Sequence, residues 1–254
     1  MKQRPSFPAR LDSTLAKNSP TANKAMQIPG VARPQGLGMD SSTVRMRMVQ
    51  KIAQQGVRDP LVLAAMGAVE RHRFVDSALV NQAYEDTSLP IGLGQTISKP
   101  GVVSRMVELL RNGNPGKLGR VLEIGTGCGY QAAVLSHLAD EVYSIERLRG
   151  LHDKARDNLR HLRLPHVHLL FGDGVEGYAK GAPYAAIIAA AGGEALPAAW
   201  IEQLAMGGRL VAPVVNPAAQ GNTQALMVVD KTPQGIMQTV LEPVHFVPLK
   251  SGVA

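Results

Sequence analysis

Cysteine is nearly absent from this chain, which has 254 residues and one cysteine, Cys128. A disulfide framework within the chain is therefore impossible, and a reducing compartment, the cytoplasm, is expected. Aromatic residues make up only 4% of the chain, so stacking platforms for single-stranded nucleic acid are sparse. No run of about 18 apolar residues occurs, and no transmembrane helix is predicted. These deficits argue against nucleic acid and membranes as partners.

The net charge of +7 is concentrated at the N-terminus. Residues 1–40 carry six basic and two acidic side chains, a net of +4, and the rest of the chain carries +3. This stretch holds five prolines and no sustained apolar periodicity, which predicts a disordered basic extension. A secretory signal is not expected, because no apolar core follows the charges. A transit peptide, or a translation start at Met39 or Met46, stays open.

The chain after the extension is predicted to begin with helices. Residues 71–97 show no clean period, and Ser98 lies within capping range of the helix that follows them. Capping and turn residues predict three helices: one from Ser41 or Ser42 to Gly56, one from Asp59 and Pro60 through Val69, and one from Pro100 to about Gly113.

From residue 120 the pattern changes to short apolar strands that alternate with helical stretches. This alternation predicts a mostly parallel sheet covered on both faces. Strands are expected at 121–124, 142–145, 167–171, 185–189 and 209–214, and helices at 130–138, 149–162 and 195–205. Two later strands, at about 223–229 and 236–247, flank a turn sequence and predict a hairpin at one sheet edge. The predicted architecture is a doubly wound α/β sheet of seven strands.

Three regions follow from this pattern. The disordered basic extension covers 1–40, a helical and substrate-loop region covers 41–115, and the ligand-binding core covers 116–254. The second region is expected to pack on the third, so that 41–254 form one compact domain and the N-terminal helices are an addition to the sheet.

Residues 121–130, VLEIGTGCGY, run from a buried strand through a Gly-rich turn into a helix. Glycines at 125, 127 and 129 permit tight backbone angles and let a ligand approach the main chain. The dinucleotide fingerprint G-x-G-x-x-G requires a third glycine where this chain has Tyr130. A pyrophosphate site is therefore disfavoured.

Acidic residues follow the next two strands. Glu146 ends the second strand, 21 residues after Gly125, where a carboxylate can accept hydrogen bonds from both ribose hydroxyls. Asp173 follows the third strand, where it can accept from an exocyclic amine such as that of adenine or merely shape a turn. Open α/β sheets bind ligands at the carboxyl ends of their strands. The three elements together predict a nucleotide or S-adenosylmethionine site.

Residues 83–100, AYEDTSLPIGLGQTISKP, carry the most specific pattern in the chain. The QTIS sequence at 95–98, followed by Pro100, is similar to the substrate-side motif of bacterial protein-L-isoaspartate O-methyltransferases. The segments 70–75, 172–178, 182–184, 203–213 and 245–249 also resemble that family, so the resemblance covers about 45–250. Family members often have an aromatic residue at Val175, Thr at Lys250 and Ser at Cys128, and the compact bacterial members have no long N-terminal extension.

The resemblance implies a class I S-adenosyl-L-methionine-dependent methyltransferase fold and a repair activity. The methyl group is transferred to the free α-carboxylate of an L-isoaspartyl residue, and the ester reverts through a succinimide to aspartate. The family likeness assigns Ser98 as the catalytic residue, which orients the substrate; the alternative is that Ser98 only caps a helix. The expected cofactor-binding residues are Thr96, Ile97, Glu123, Gly125, Thr126, Gly127, Gly129, Glu146, Asp173 and Gly174.

Other candidate residues have weaker support. Cys128 lies at a helix N-terminus, which lowers the pKa of a thiol, but no adjacent base completes a nucleophilic pair. His161, His166 and His168 lack the other ligands of a zinc site, so no metal is expected. Glu123, which by the resemblance lies beneath the cofactor, can instead hydrogen-bond loop amides. A monomer that acts on isoaspartyl-containing proteins and peptides is expected.

Three rival functions stay open at this point. A class I methyltransferase acting on a nucleic acid or a small molecule fits the glycine loop equally well but leaves residues 95–100 unexplained. A non-catalytic module that binds S-adenosylmethionine is the second, and a dehydrogenase, disfavoured by Tyr130, is the third.

Overall fold

Parallel strands build the centre of the computed structural model, which describes residues 42–216 and 223–254. Seven strands form one sheet in the order β5-β4-β3-β6-β7-β8-β9. Neighbours among the first five strands pair in parallel, whereas β8 pairs antiparallel with both β7 and β9. The sheet strands are β3 (Leu118–Ile124), β4 (Ala139–Glu146), β5 (Val167–Phe171), β6 (Tyr184–Ala189), β7 (Leu204–Val215), β8 (Gln224–Thr232) and β9 (Gly235–Val244).

Helices cover both faces of this sheet, because its strands are apolar on both sides. Val121 points into the core shared with the helices α1 to α5, whereas Leu122 and Ile124 point into the core that contains Trp200 of α6. The helices are α1 (Ser42–Gln54), α2 (Pro60–Ala68), α3 (Pro100–Arg111), α4 (Tyr130–Ser136), α5 (Arg149–Leu159) and α6 (Ala198–Gln203). The predicted doubly wound α/β architecture and the edge hairpin of β8 and β9 are confirmed.

The N-terminal helices agree with their predicted starts. Asp59 caps α2, since its carboxylate accepts from the amides of Leu61 and Val62. The predicted disordered extension, residues 1–40, and the Ser41 alternative for the first cap lie outside the described residues. Predicted helices that extended past 136, 159 and 203 end earlier, and 160–162 continue as one turn of 3-10 helix.

A short antiparallel hairpin in 71–97 was not predicted. Strands β1 (Leu89–Gly92) and β2 (Gln95–Ile97) pair with each other and form a separate two-stranded sheet. Before them, 3-10 turns cover Arg71–Phe74 and Ser77–Gln82. The buried Arg71 holds this region together: its Nε donates to the Ala83 carbonyl, and its guanidinium stacks 4.8 Å from the centre of the Tyr130 ring. The substrate-side segment is thereby fixed against the helix that follows the glycine loop.

In the part of the chain that the structure describes, no helix is long and apolar enough to cross a bilayer.

Candidate functional site

The glycine loop leaves β3 at the carboxyl edge of the sheet and turns sharply into α4. Gly125, Gly127 and Gly129 have φ angles of +90°, +57° and +90°, which side chains on L-residues disfavour. The turned backbone points the Gly127 N–H at Glu146, whose Oε2 accepts it at 2.9 Å. The other oxygen of Glu146 accepts from the Leu148 amide at 2.9 Å. Glu146 therefore lies beside the loop, as the sequence pattern predicts.

The β1–β2 hairpin covers this loop. Lys154 of α5 donates to the carbonyl of Ile91 at 2.8 Å, which holds β1 over the strand ends. A Cβ atom on Gly127 would lie 3.2 Å from Ile91 Cδ1, so the hairpin and the loop are nearly in contact. The predicted substrate-side segment and the glycine loop thus meet face to face, although 30 residues separate Ser98 from Cys128.

Between the hairpin and the loop lies a cavity, called here the inner cavity. Seven of the predicted site residues line it: Thr96, Ile97, Ser98, Gly125, Thr126, Gly127 and Glu146. Residues that the sequence analysis did not predict complete its wall, among them Ile91, Gln95, Val103, Tyr130, Gln131, Ala190 and Val247. Its volume is about 70 Å³. Ligand pockets typically measure about 300–1,000 Å³, so the inner cavity is narrow.

Gln131 is the functional candidate that the sequence analysis missed. It follows Tyr130 in α4, lines the inner cavity and is 8% exposed, and its Nε2 has no hydrogen-bond partner among the described residues. A buried amide donor without a partner costs free energy, on the order of 1–3 kcal/mol. The donor is available to a polar ligand in the cavity. A glutamine directly before the apolar run AAVL in the fully buried helix YQAAVLS is the signal that could have identified it.

Beneath the loop, Glu123 is fully buried. Its Oε2 accepts from the Ser144 hydroxyl, which also pairs with Thr126, and its Oε1 has no partner among the described residues. It accepts no loop amide, so that alternative is wrong. Burial raises the pKa of Glu123 to about 8, although the hydrogen bond from Ser144 and the nearby Gln131 amide act in the opposite direction. At neutral pH this side chain is mainly protonated.

The raised pKa predicts a pH dependence of stability. The folded chain keeps a proton on Glu123 up to about pH 8, whereas the unfolded chain loses it near 4.5. The contribution of Glu123 to the free energy of unfolding is complete below pH 4.5. It falls by up to about 1.4 kcal/mol per pH unit as the pH rises from there to about 8. Glu123→Gln is expected to remove this slope. Urea unfolding of the wild type and of Glu123→Gln from pH 5 to pH 8 measures this slope. The same dependence of the free energy of unfolding on pH in both proteins would contradict the prediction.

Three other predicted residues do not line the inner cavity. Gly129 is buried and packs on α5, where an added Cβ would lie 3.0 Å from Leu159 Cδ1. Gly174 is also buried, and its carbonyl accepts from the Trp200 indole at 2.8 Å. Asp173 precedes it at the end of β5, so these residues shape the strand ends around the cavity.

Asp173 is held by the last residues of the chain. Its Oδ2 accepts from the Ser251 hydroxyl at 2.7 Å and from the Gly252 amide at 2.6 Å, and its Oδ1 accepts from the Val175 amide at 2.8 Å. Partial burial raises the pKa of Asp173, but these hydrogen bonds outweigh it and leave the pKa below its ordinary value. Asp173 therefore shapes a turn, and its acceptor sites are shared with the chain's own C-terminal segment.

Ser98 lies where the inner cavity meets a second depression, called here the outer cleft. The outer cleft has a volume of about 420 Å³ and lies between the segment before α3 and the residues after β9. Ser98 and Thr96 line both spaces. The Ser98 hydroxyl makes no hydrogen bond to any described residue. Ser98 does not cap α3: the cap position is Lys99, and the Gly101 amide at the helix start donates instead to Asp86 at 2.8 Å.

Neither Cys128 nor the histidines form a reactive centre. Burial raises the pKa of the Cys128 thiol to about 11, so the expected lowering by a helix N-terminus is wrong. His168 lies in β5, where its Nε2 pairs with Glu141. Within 42–216 and 223–254, no three His, Cys, Asp or Glu side chains cluster closely enough to hold a metal ion.

The family model for protein-L-isoaspartate(D-aspartate) O-methyltransferases matches residues 43–254. The chain belongs to this family. The protein-L-isoaspartate O-methyltransferase of Methylibium petroleiphilum is 54% identical to it, over 98% of this chain and 96% of that relative. The enzyme of the same name from Leptothrix cholodnii is 60% identical, over 86% of this chain and 77% of its own length.

Solved structures of the protein-L-isoaspartate O-methyltransferase family agree with this fold. One is 26% identical, with a TM-score of 0.73, and the match covers 82% of this chain and 67% of that one. A beta-aspartate methyltransferase from Plasmodium falciparum, in complex with S-adenosyl-L-homocysteine, is 23% identical with a TM-score of 0.70, covering 81% and 98%. The second likeness shows the fold alone. The predicted class I methyltransferase fold and the family resemblance of residues 83–100 are confirmed.

Proposed function

We propose that this protein is a repair methyltransferase, which transfers the methyl group of S-adenosyl-L-methionine to the free α-carboxylate of L-isoaspartyl residues in damaged proteins and peptides. The observation that carries the proposal is the position of Ser98, whose hydroxyl has no partner among the described residues and lies between a glycine-loop cavity and an open cleft. Relatives more than 50% identical carry the name of this activity.

The residues around the inner cavity fit the cofactor. The glycines leave the backbone bare where a ligand approaches, and the orphaned Nε2 of Gln131 supplies a buried donor. Glu146 keeps unused lone pairs for the ribose hydroxyls, since each of its oxygens accepts one amide. Glu123 lies beneath the loop as a neutral acid. When bound, S-adenosylmethionine supplies a methyl group on a sulfonium, which leaves a neutral thioether after transfer.

Thr96 and Ile97 wall the cavity from the hairpin side, opposite Gly125, Thr126 and Gly127. Gly129 sets the angle at which α4 leaves the loop. Asp173 and Gly174, which follow β5, would lie on the nucleobase side of the cofactor, and Asp173 would accept from an exocyclic amine with a lone pair that Val175, Ser251 and Gly252 leave unused.

Ser98 orients the substrate instead of attacking it. A carboxylate with a pKa near 4 is already ionised at neutral pH, so the reaction needs no general base. One hydrogen bond from the Ser98 hydroxyl holds one carboxylate oxygen and leaves the other free to attack, which is catalysis by proximity and orientation. The product ester then closes to a succinimide, whose hydrolysis returns part of the residue to normal aspartate.

The compartment that we propose is the cytoplasm, where the single cysteine stays reduced. We propose that the protein acts there as a monomer, on damaged polypeptides and not on nucleic acids or membranes. The proposed organisation is one compact catalytic domain, 41–254, preceded by the extension 1–40.

Methyl transfer to a matched pair of synthetic peptides tests the proposal. The peptides differ only in one residue, isoaspartyl in one and aspartyl in the other, and the methyl group of S-adenosylmethionine is radiolabelled. Base-labile label on the isoaspartyl peptide alone is expected, because the ester is labile and the aspartyl carboxylate is displaced by one methylene. If neither peptide is labelled while the protein binds the cofactor, the substrate assignment is wrong and RNA or small molecules take its place.

A further inference from the structure

The outer cleft is lined by one cation, Lys99, and by one histidine, and by no acidic residue. Lys99 lines one side and His245, which is charged only when protonated, lines the other. Both side chains are exposed, and no Asp or Glu is among the residues that line the cleft. A cleft with a cation on its wall and no carboxylate attracts negatively charged ligands.

The closest acidic residue along the chain is already neutralised. Glu242 precedes the cleft residue Pro243, and its Oε1 forms an ion pair with Arg105 Nε at 2.8 Å. Lys99 and His245 have no ion pair with any described residue. The positive charge of Lys99, and that of His245 when it is protonated, is therefore available to a bound molecule.

The position of Lys99 separates it from the reacting carboxylate. Ser98 lines both the inner cavity and the outer cleft, whereas Lys99 and His245 line only the outer cleft. A full positive charge on the reacting oxygen would also weaken it as a nucleophile. Lys99 thus faces the part of a peptide that flanks the modified residue. An extended peptide advances about 3.3–3.6 Å per residue, so a lysine side chain reaches one or two positions away.

We propose that Lys99, together with His245, selects isoaspartyl peptides that carry Asp or Glu within two positions of the isoaspartyl residue. This specificity rests on the proposed function. The contact is the same before and during methyl transfer. It therefore lowers KM for acidic peptides, while kcat is the same for acidic and neutral peptides. Partly exposed ion pairs predict a preference of about twofold to fivefold in kcat/KM, which weakens as salt is added.

Peptides with Glu, Gln or Lys at each of the two positions on either side of isoaspartate test this selection, with wild-type protein, Lys99→Gln, Lys99→Glu and His245→Gln. Lys117→Gln is the matched control, because Lys117 is exposed and lies before β3, outside both spaces. The ratio of kcat/KM for Glu peptides to that for Gln peptides is expected to approach 1 in Lys99→Gln and to fall below 1 in Lys99→Glu. It is expected to shrink in His245→Gln and to equal the wild-type ratio in Lys117→Gln.

Equal kcat/KM for Glu and Gln peptides, or a Glu preference that survives in Lys99→Gln, overturns the selection while the isoaspartyl activity stands. A preference that lies in kcat alone also overturns it, since the charge then acts on the reacting group. Absence of label on every isoaspartyl peptide, by contrast, is failure of the proposed function itself.

Discussion

Gly127→Val is expected to raise the dissociation constant of S-adenosylmethionine by about 100-fold or more. Gly127 has φ +57°, a conformation that costs an ordinary L-residue about 1–2 kcal/mol and a β-branched residue more. Its Cβ would lie 3.2 Å from Ile91 Cδ1, so the added methyl groups fill the inner cavity or displace the hairpin. The strained loop also misdirects the amide that Glu146 accepts. Titration calorimetry with the cofactor measures the loss.

Gly113→Val separates strain from site geometry. Gly113 also has positive φ, +74°, but no atom lies within 4 Å of its added Cβ, and the residue follows α3 outside the inner cavity. Its variant is expected to lose stability, on the order of 1–3 kcal/mol, and to bind the cofactor as the wild type does. Wild-type affinity in Gly127→Val would show that the glycine loop is not the binding site.

The sheet could be predicted because its strands carry their own signal. Parallel strands buried on both faces read as continuous apolar runs, and residues 121–124 fall within the longer β3. The β1–β2 hairpin has no such signal. Its two strands are only four and three residues long. The hairpin is held by contacts with distant parts of the chain, such as the hydrogen bond from Lys154 to the carbonyl of Ile91. Periodicity does not report contacts of this kind.

Helix capping shows the same limit. Ser98 is a local capping candidate for α3, but the residue that accepts from the helix start is Asp86, 15 positions before Gly101. The position of Asp173 after a strand predicts a cofactor-binding residue, but its hydrogen-bond partners Ser251 and Gly252 lie 78 and 79 residues away along the chain. Motif spacing therefore predicts which strand ends form the site. It does not predict which groups share a hydrogen bond after the chain has folded.

Gln131 and Glu123 are a different case, because the local sequence held a usable signal. Each is a polar residue inside an apolar segment, and each has a buried atom without a partner among the described residues. Buried polar groups are normally hydrogen-bonded, so the unpartnered Gln131 amide on the wall of the inner cavity supports a polar ligand there, whereas Glu123 lies beneath the loop and off that wall.

The role of Ser98 predicts that Ser98→Ala lowers both kcat and kcat/KM by about 10- to 100-fold on isoaspartyl peptides. A hydrogen bond to a charged group contributes about 1.5–3 kcal/mol, and this one holds the carboxylate in line for attack. Steady-state kinetics with varied peptide measures the change, and the affinity for the cofactor is expected to stay within about twofold of wild type.

Stability distinguishes this role from a structural one. The Ser98 hydroxyl makes no hydrogen bond to a described residue, and Asp86 accepts the hydrogen bond from the Gly101 amide. Ser98→Ala is therefore expected to leave α3 intact and the Tm of the protein close to that of the wild type. Ser77→Ala, at an exposed serine outside both spaces, is the matched control and is expected to change neither rate nor Tm. A fall in Tm with unchanged kcat in Ser98→Ala would assign the hydroxyl to the fold. A fall in kcat at constant Tm assigns it to the orientation of the substrate carboxylate, because no other consequence of losing one oxygen atom separates the two quantities in this way.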